Sequence, residues 1–280
     1  MKGIIALDID GTVTLPGQNI PRETLAFLSE LIKSHWDIIF ITGRSVPWAS
    51  KTLQELPSPY YLSVQNGAIT LEMPSKKILS KKYLDRSIIP VMQEICEGEP
   101  TDFIIYSGYE FDDFCFYRPN HFSPELLGYL HARASAYQEK WEQLSSFNLL
   151  TIEQFPSIKC FGLHSPAQEV AKRIERDLGL HVPVIRDPFN DNYFVAQATH
   201  PDVSKGQALN ELAKLLGNTG PVIAAGDDYN DISMLAEADL TIVMATAPET
   251  MLSTADIIAP SAQHQGLING LTQAIKRYAG

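Results

Sequence analysis

Short apolar runs recur along the first eighty residues, and each closes on polar or turn-forming positions. Gly3-Ile4-Ile5-Ala6-Leu7 ends in Asp8-Ile9-Asp10-Gly11, Asp37-Ile38-Ile39-Phe40-Ile41 ends in Thr42-Gly43-Arg44, and Tyr60 to Val64 ends in Asn66-Gly67. Helical patterns separate them. Leu25, Leu28, Leu31 and Ile32 follow Pro21 at helical spacing, with the proline in a first turn where it is tolerated, and a second helical stretch covers Val46 to Leu56. Unbroken apolar strands alternating with helices predict a parallel sheet covered on both faces. Ligands of such sheets gather at the carboxyl ends of the strands.

The pattern changes near residue 84. A helix (Ile88 to Glu97), two strands about a tight turn at Ser107-Gly108 (Asp102 to Tyr106, Phe111 to Tyr117) and a long helix (Pro124 to Trp141) come first. A strand (Ile158 to Leu163), a helix (Pro166 to Leu178) and two strands (Val182 to Ile185, Tyr193 to Ala198) follow. Strand pairs separated by helices predict an antiparallel sheet with helices on one face. Beyond Lys205 the strand–helix rhythm returns, with a helix to Leu216, strands Pro221 to Ala225, Leu240 to Met244 and Asp256 to Ala259, and helices from Asn230 and Leu267. The simplest parse is an α/β domain, residues 1–83 and 200–280, interrupted by an α+β domain at 84–199.

Bulk properties narrow the class of protein. With 45% hydrophobic and 20% charged residues in 280, the chain reads as globular, and no apolar run approaches the roughly 18 residues that cross a bilayer. The start, MKGIIALDID, carries one lysine and a very short apolar stretch that runs into acid, unlike a secretory leader, so a cytoplasmic protein is expected. A net charge of −11 argues against binding nucleic acid or anionic lipid, though not against a small phosphorylated substrate. Cys96, Cys115 and Cys160 are widely spaced and lack a CxxC pattern, which predicts buried thiols rather than a zinc site or disulfides.

The strand ends collect Asp8, Asp10, Thr42, Asn66 and the cluster Asp227-Asp228-Tyr229-Asn230-Asp231. Any one aspartate there is explained by a turn or a helix cap. Two groups of acids at one sheet edge are not, because they repel unless a cation sits among them; Mg²⁺, which takes few hard oxygen ligands and keeps positions for water or phosphate, suits them. A carboxylate can form an aspartyl-phosphate once the charge on phosphorus is neutralised. Lys205 stands at a helix start, where an ammonium and free amides make an anion site, and Thr42 with the amide of Gly43 can hold another phosphate oxygen. Asp10 would then protonate the leaving alcohol and later take a proton from water.

In this order, Asp8-Ile9-Asp10-Gly11-Thr12, Thr42-Gly43-Arg44, Lys205-Gly206 and Gly226-Asp227-Asp228-Tyr229-Asn230-Asp231 resemble the four signature motifs of the haloacid dehalogenase-like phosphohydrolases. Asn66-Gly67-Ala68 and Ser233-Met234-Leu235 resemble the Cof-like subfamily, whose insertion is a C2-type cap, here of the B subtype by its strand–strand–helix order. The resemblance implies a Rossmann-like parallel-sheet core with an inserted α+β cap. It implies Asp8 as nucleophile and metal ligand, and Asp10 as acid and base that also lends its main-chain carbonyl to Mg²⁺. Thr42, Gly43 and Lys205 would bind the phosphoryl group, Asp227 would be a further ligand, and Asn230 and Asp231 would support the phosphate and the metal's water. Retention of Asp10 favours phosphate over halide chemistry. Two departures stand out: Asp228-Tyr229 replaces a smaller pair, and Met244-Ala245-Thr246-Ala247-Pro248 lacks the usual Gly-Asn.

The function implied is a Mg²⁺-dependent phosphatase of a small phosphomonoester, such as a sugar phosphate, working as a monomer or weak homodimer. A hexose phosphomutase using the same aspartates and a non-catalytic metabolite-binding protein are the alternatives. In the insertion, many of Tyr109, Phe111, Phe114, Phe116, Tyr117, His121 and Phe122 are expected on the helix-covered face as core packing, with a sugar-stacking platform as the alternative, and Arg186, Asp187 and Asn190 to Asn192 are either substrate contacts or turn residues.

Overall fold

A computed structural model of the chain describes residues 2–15, 17–187 and 189–278. The described elements begin with β1 (Gly3–Leu7), α1 (Arg22–Lys33), β2 (Trp36–Ile41), α2 (Val46–Thr52), β3 (Tyr60–Val64), β4 (Ile69–Met73) and β5 (Lys77–Lys81). The middle third holds β6 (Leu84–Asp85), α3 (Ile89–Cys96), β7 (Phe103–Tyr106), β8 (Phe114–Tyr117), α4 (Pro124–Tyr137), β9 (Lys140–Gln143), β10 (Gln154–Phe155), β11 (Ser157–Gly162), α5 (His164–Leu178), β12 (Val184–Arg186) and β13 (Phe194–Ala198). The last third holds α6 (Lys205–Leu215), β14 (Val222–Gly226), α7 (Ile232–Ala236), β15 (Leu240–Met244), α8 (Glu249–Leu252), β16 (Ile257–Ala259) and α9 (Gly266–Lys276). Two compact units emerge. One comprises the residues up to Arg44, Ala49–Lys81 and those from Ser204 on; the other comprises Ser45–Trp48 and Lys82–Val203.

The first unit is built on an eight-stranded sheet, ordered β16-β15-β14-β1-β2-β3-β4-β5. The six strands from β16 to β3 pair in parallel, which fits their unbroken apolar sequences. All five residues of β1 are buried, with Ile4 and Ala6 packed under α6 and α7. On the other face α1 lies against β2, and α9 lies against β15 and β16. The chain proceeds outward from β1 through β2 and β3, then returns to the opposite side of β1 with β14. The carboxyl end of β1 is therefore the point where strand order reverses, the usual place for a ligand crevice in such sheets.

The antiparallel hairpin of β4 and β5 extends this sheet beyond β3. No strand was expected between β3 and residue 84. The hairpin's signals are present, since Ile69, Leu71 and Met73 alternate with polar residues ahead of a Pro74-Ser75 turn.

In the second unit the sheet order is β12-β13-β11-β7-β8-β9, antiparallel except where β9 joins β8. Helices cover both faces, not one as expected. Phe103, Ile105, Ile158 and Cys160 pack against Met92 and Ile95 of α3 and Val170 and Ile174 of α5, whereas Ile104, Tyr106, Cys115 and Phe161 pack against Leu126 and Leu130 of α4. The continuous apolar run Phe103-Ile104-Ile105-Tyr106 is what two buried faces require. The aromatic residues divide accordingly: Tyr117 and Phe122 are buried against α4, and Phe111 stands 44% exposed. Helix α4 ends at Tyr137, short of the expected Trp141, because Gln138 takes a left-handed conformation and the chain turns into β9. All three cysteines are buried and free. No described helix is long and apolar enough to cross a membrane.

Because β1 is buried on both faces, Ile5→Ala should lower the stability of the first unit by about 2–5 kcal/mol, the usual cost of such a truncation. Urea unfolding measures this, and an unchanged midpoint would contradict the two-sided burial.

Candidate active site

Asp8 follows β1 directly, and its amide donates to Ala225 O of β14 at 3.0 Å, which holds the residue at the sheet edge. Gly11, at φ +83°, bends the chain away; a Cβ there would come within 2.1 Å of Asp227 Oδ2. Only glycine leaves the carboxylate of Asp227 its place. The hydroxyl of Thr12 donates to Asp227 Oδ1 at 2.8 Å, so the turn after β1 and the loop after β14 are tied together.

Lys205 opens α6, whose first turn is capped by Ser204 Oγ accepting from the amide of Gln207. Its ammonium is 1% exposed and donates to Asp8 Oδ1 at 2.5 Å and to Asp231 Oδ1 at 2.6 Å. The other oxygen of Asp231 accepts from the amides of Asp227 and Asp228, at 2.9 and 3.0 Å. One wholly buried aspartate thus fixes both the lysine and the loop. Two further glycines permit this approach, since a Cβ on Gly226 would meet Asp231 Cβ at 2.6 Å and one on Gly206 would meet Ser233 O at 2.2 Å.

Carboxylate oxygens of Asp8, Asp227 and Asp231 lie within 4.8 Å of one another. Burial pushes the Asp8 carboxyl up to about 7; Lys205 opposes the shift, while Asp231 and Asp10 add to it. Asp227 is likewise held well above the usual range by burial and by Asp8 and Asp231, against the hydrogen bond from Thr12. Lys205 moves the other way. Burial lowers it, but Asp231 and Asp8 outweigh burial and keep it charged. With Asp10, four carboxyl groups face two cations, Lys205 and Arg44, so that full ionisation of all four would leave an excess of two negative charges. A divalent ion would balance it, so the donor set fits Mg²⁺.

Thr42, at the end of β2, is 1% exposed, and its Oγ1 accepts from the amide of Arg44 at 3.2 Å. The hydroxyl proton remains available to an incoming oxygen. Gly43 forms the turn between them. Asn66 adopts a left-handed conformation, donates its amide to Thr42 O at 2.9 Å, and accepts from Asn230 Nδ2 at 3.2 Å. Thr42, Asn66 and Asn230 are therefore linked across the crevice.

Arg44 belongs to the Thr42-Gly43-Arg44 motif, but the sequence assigns it no role. It is buried, and its guanidinium grips both oxygens of Asp10. Asp228 is no loose acid; it caps the turn after β14, accepting from the amide of Tyr229 at 2.7 Å. In the second unit, Asp187 is wholly buried and accepts from the Tyr129 hydroxyl at 2.9 Å, and Asn190 Oδ1 takes the amide of Asn192. Asp187 is an internal anchor, and Asn190 closes an exposed turn. Arg186 is largely exposed, 3.9 Å from Asp191.

A doubly wound sheet with acids, a buried lysine and small donors at its switch point defines an α/β enzyme. The chain belongs to the haloacid dehalogenase-like hydrolases, whose family model matches residues 5–271. It is 23% identical to the phosphoglycolate phosphatase of Methanoculleus marisnigri over 287 aligned positions, which cover 99% of this chain and 97% of that one. It is also 23% identical to the pyridoxal phosphate phosphatase of Escherichia coli, covering 91% and 92%. A solved haloacid dehalogenase-like hydrolase from Bacteroides thetaiotaomicron shares the fold, with a TM-score of 0.78, 21% identity and coverage of 99% and 100%.

The raised Asp8 carboxyl makes a prediction about stability. Its folded-state value of about 7 lies above the ordinary 3.8, so the folded protein keeps a proton that the unfolded chain gives up, and stability falls as pH rises between the two. In chelated buffer Asp8→Asn should therefore unfold at a higher temperature than the parent at pH 8, by a few degrees, since about 1 kcal/mol moves a domain of this size by about 2–4 °C. The two should converge only as the pH falls to the ordinary carboxyl value of 3.8, where the unfolded chain is protonated as well. A thermal melt in which the variant is the weaker at pH 8 would contradict this.

Proposed function

We propose that this hydrolase is a Mg²⁺-dependent phosphatase that releases phosphate from a small phosphomonoester, a sugar phosphate or related metabolite, by way of an aspartyl-phosphate on Asp8. The observation that carries the reading is the buried ammonium of Lys205 held on Asp8 at the sheet's switch point. A fixed cation beside a carboxylate that can attack phosphorus is what phosphoryl transfer needs, because the reaction depends on positioning and on neutralising equatorial oxygens. The named substrates of the two relatives, phosphoglycolate and pyridoxal phosphate, are both small phosphomonoesters and support the substrate class.

In this reading a carboxylate oxygen of Asp8 bonds to phosphorus as the ester oxygen departs, and Asp10 gives that oxygen its proton. Asp10 then takes a proton from the water that opens the acyl-phosphate, which restores both aspartates. Lys205, the hydroxyl of Thr42 and the amide of Gly43 hold the phosphoryl oxygens, and Asn230, braced by Asn66, supports them. Asp8, Asp227 and the main-chain carbonyl of Asp10 would hold Mg²⁺, with Asp231 behind them. When bound, the ion neutralises phosphate and carboxylates together. The inserted unit, a C2-type cap on the family resemblance, would select the leaving group, and a cytoplasmic setting belongs to the same reading.

Phosphate release from a panel of sugar phosphates tests it. Turnover should require Mg²⁺, vanish with chelator, and fall by more than about 10³-fold in Asp8→Asn. Sugar isomerisation only in the presence of a bisphosphate would instead indicate a mutase, and no turnover on any phosphomonoester would indicate a binding protein.

A further inference from the structure

Arg44 is a buried cation beside the reaction centre, and the roles above leave it without a task. Its side chain is 2% exposed. The Nε donates to Asp10 Oδ2 at 2.6 Å, Nη2 donates to Asp10 Oδ1, and Nη1 donates to Thr52 Oγ1, the last residue of α2, at 2.5 Å. All three residues belong to the first unit.

We propose that Arg44 is a positioning residue for Asp10, with Thr52 as its anchor, and that the clamp sets where the leaving group's proton is delivered. The proposal rests on the reading of Asp10 as acid and base. A planar guanidinium meeting a carboxylate with two parallel N–H···O bonds fixes the plane of the carboxyl as well as its place. The bond to Thr52 keeps the guanidinium from swinging, so Asp10 is referred to α2 as well as to its own loop. It needs such a reference: its side chain is 21% exposed, and the nearby carboxylate of Asp8 repels it.

The clamp also matches the order of the two proton transfers. When Asp10 has given its proton to the departing ester oxygen it is a carboxylate, and both oxygens then find donors on Arg44. It stays there until one oxygen turns to take a proton from water. The arrangement in the structure is the one Asp10 occupies between its two tasks.

The test compares two substrates of one enzyme. An alkyl leaving group, as in a sugar phosphate, must be protonated as it departs, whereas nitrophenolate leaves p-nitrophenyl phosphate without a proton. With Mg²⁺ present, Arg44→Gln should lower kcat/KM for the sugar phosphate by about 10- to 100-fold, as expected for a misplaced acid, and change it for p-nitrophenyl phosphate by less than about threefold. Arg44→Lys should recover part of the loss. Thr52→Val should act in the same direction but less strongly, and it carries the comparison if Arg44→Gln fails to fold, which loss of aryl phosphatase activity together with a broadened melt would reveal. Equal losses on both substrates, or no loss on either, would overturn the proposal. Asp10→Asn separates the two levels: a steep substrate dependence there beside a flat one in Arg44→Gln overturns the role of Arg44 alone, and a flat dependence in Asp10→Asn overturns the reading of Asp10 beneath it.

Discussion

The ammonium of Lys205, shut away between Asp8 and Asp231, is the constraint around which the first unit's sheet edge is organised. Its three residues come from the end of β1, the start of α6 and the loop after β14, with Asp8 and Lys205 set 197 positions apart in the chain and Asp231 lying 26 beyond Lys205. A buried charge stripped of its partner costs about 3–5 kcal/mol, so the three elements hold one another in register. Asp231 passes the constraint on, because its second oxygen shapes the loop that carries Asp227. The same density of charge makes the centre costly without a counter-ion. Asp8 and Asp227 are both pushed toward protonation by burial and mutual repulsion, and the carboxyl proposed as the nucleophile is kept in an environment that disfavours its own charge. Sites of this kind trade stability for function.

Close approach of backbone and side chains makes the arrangement possible, and three glycines allow it. Gly11, Gly226 and Gly206 stand where a Cβ would strike Asp227, Asp231 and the main chain of Ser233. Each lies inside or beside a stretch that also supplies a polar group. The glycines of the sequence patterns thus have a steric reason in the structure: they leave room for the carboxylates and let α6 pack down on α7.

Much of this could be read along the chain, and the rest was hidden for physical reasons. Strands β1, β3 and β15 run over the residues that the apolar runs mark, since a strand buried on both faces is unbroken in sequence and sharply bounded by its turns. The hairpin of β4 and β5 was missed because its alternation is half-polar at an edge of the sheet, where burial patterns are weak. The second unit's sheet was expected to be covered on one face, yet α4 closes the other, and Trp141 belongs to a strand rather than to α4. Helical spacing alone does not show where a left-handed residue such as Gln138 will end a helix. Asp8, Asp227 and Asp231 were legible as acids that follow apolar runs, and Lys205 as a lysine at a helix start. Arg44 was not, because an arginine after a turn signals nothing until its partner is known, and Asp10 lies 34 positions away.

The central claim is that Asp8 carries the phosphoryl group between the two halves of the reaction. Acid quenching of the enzyme during turnover with a phosphomonoester and Mg²⁺, followed by mass spectrometry of its peptides, tests it most directly. A phosphoryl increment on the peptide that contains Asp8, lost in Asp8→Asn and increased when Asp10→Asn slows the second half, is the predicted result. Steady phosphate release with no phosphorylated Asp8 peptide in the wild-type enzyme or in Asp10→Asn would contradict it.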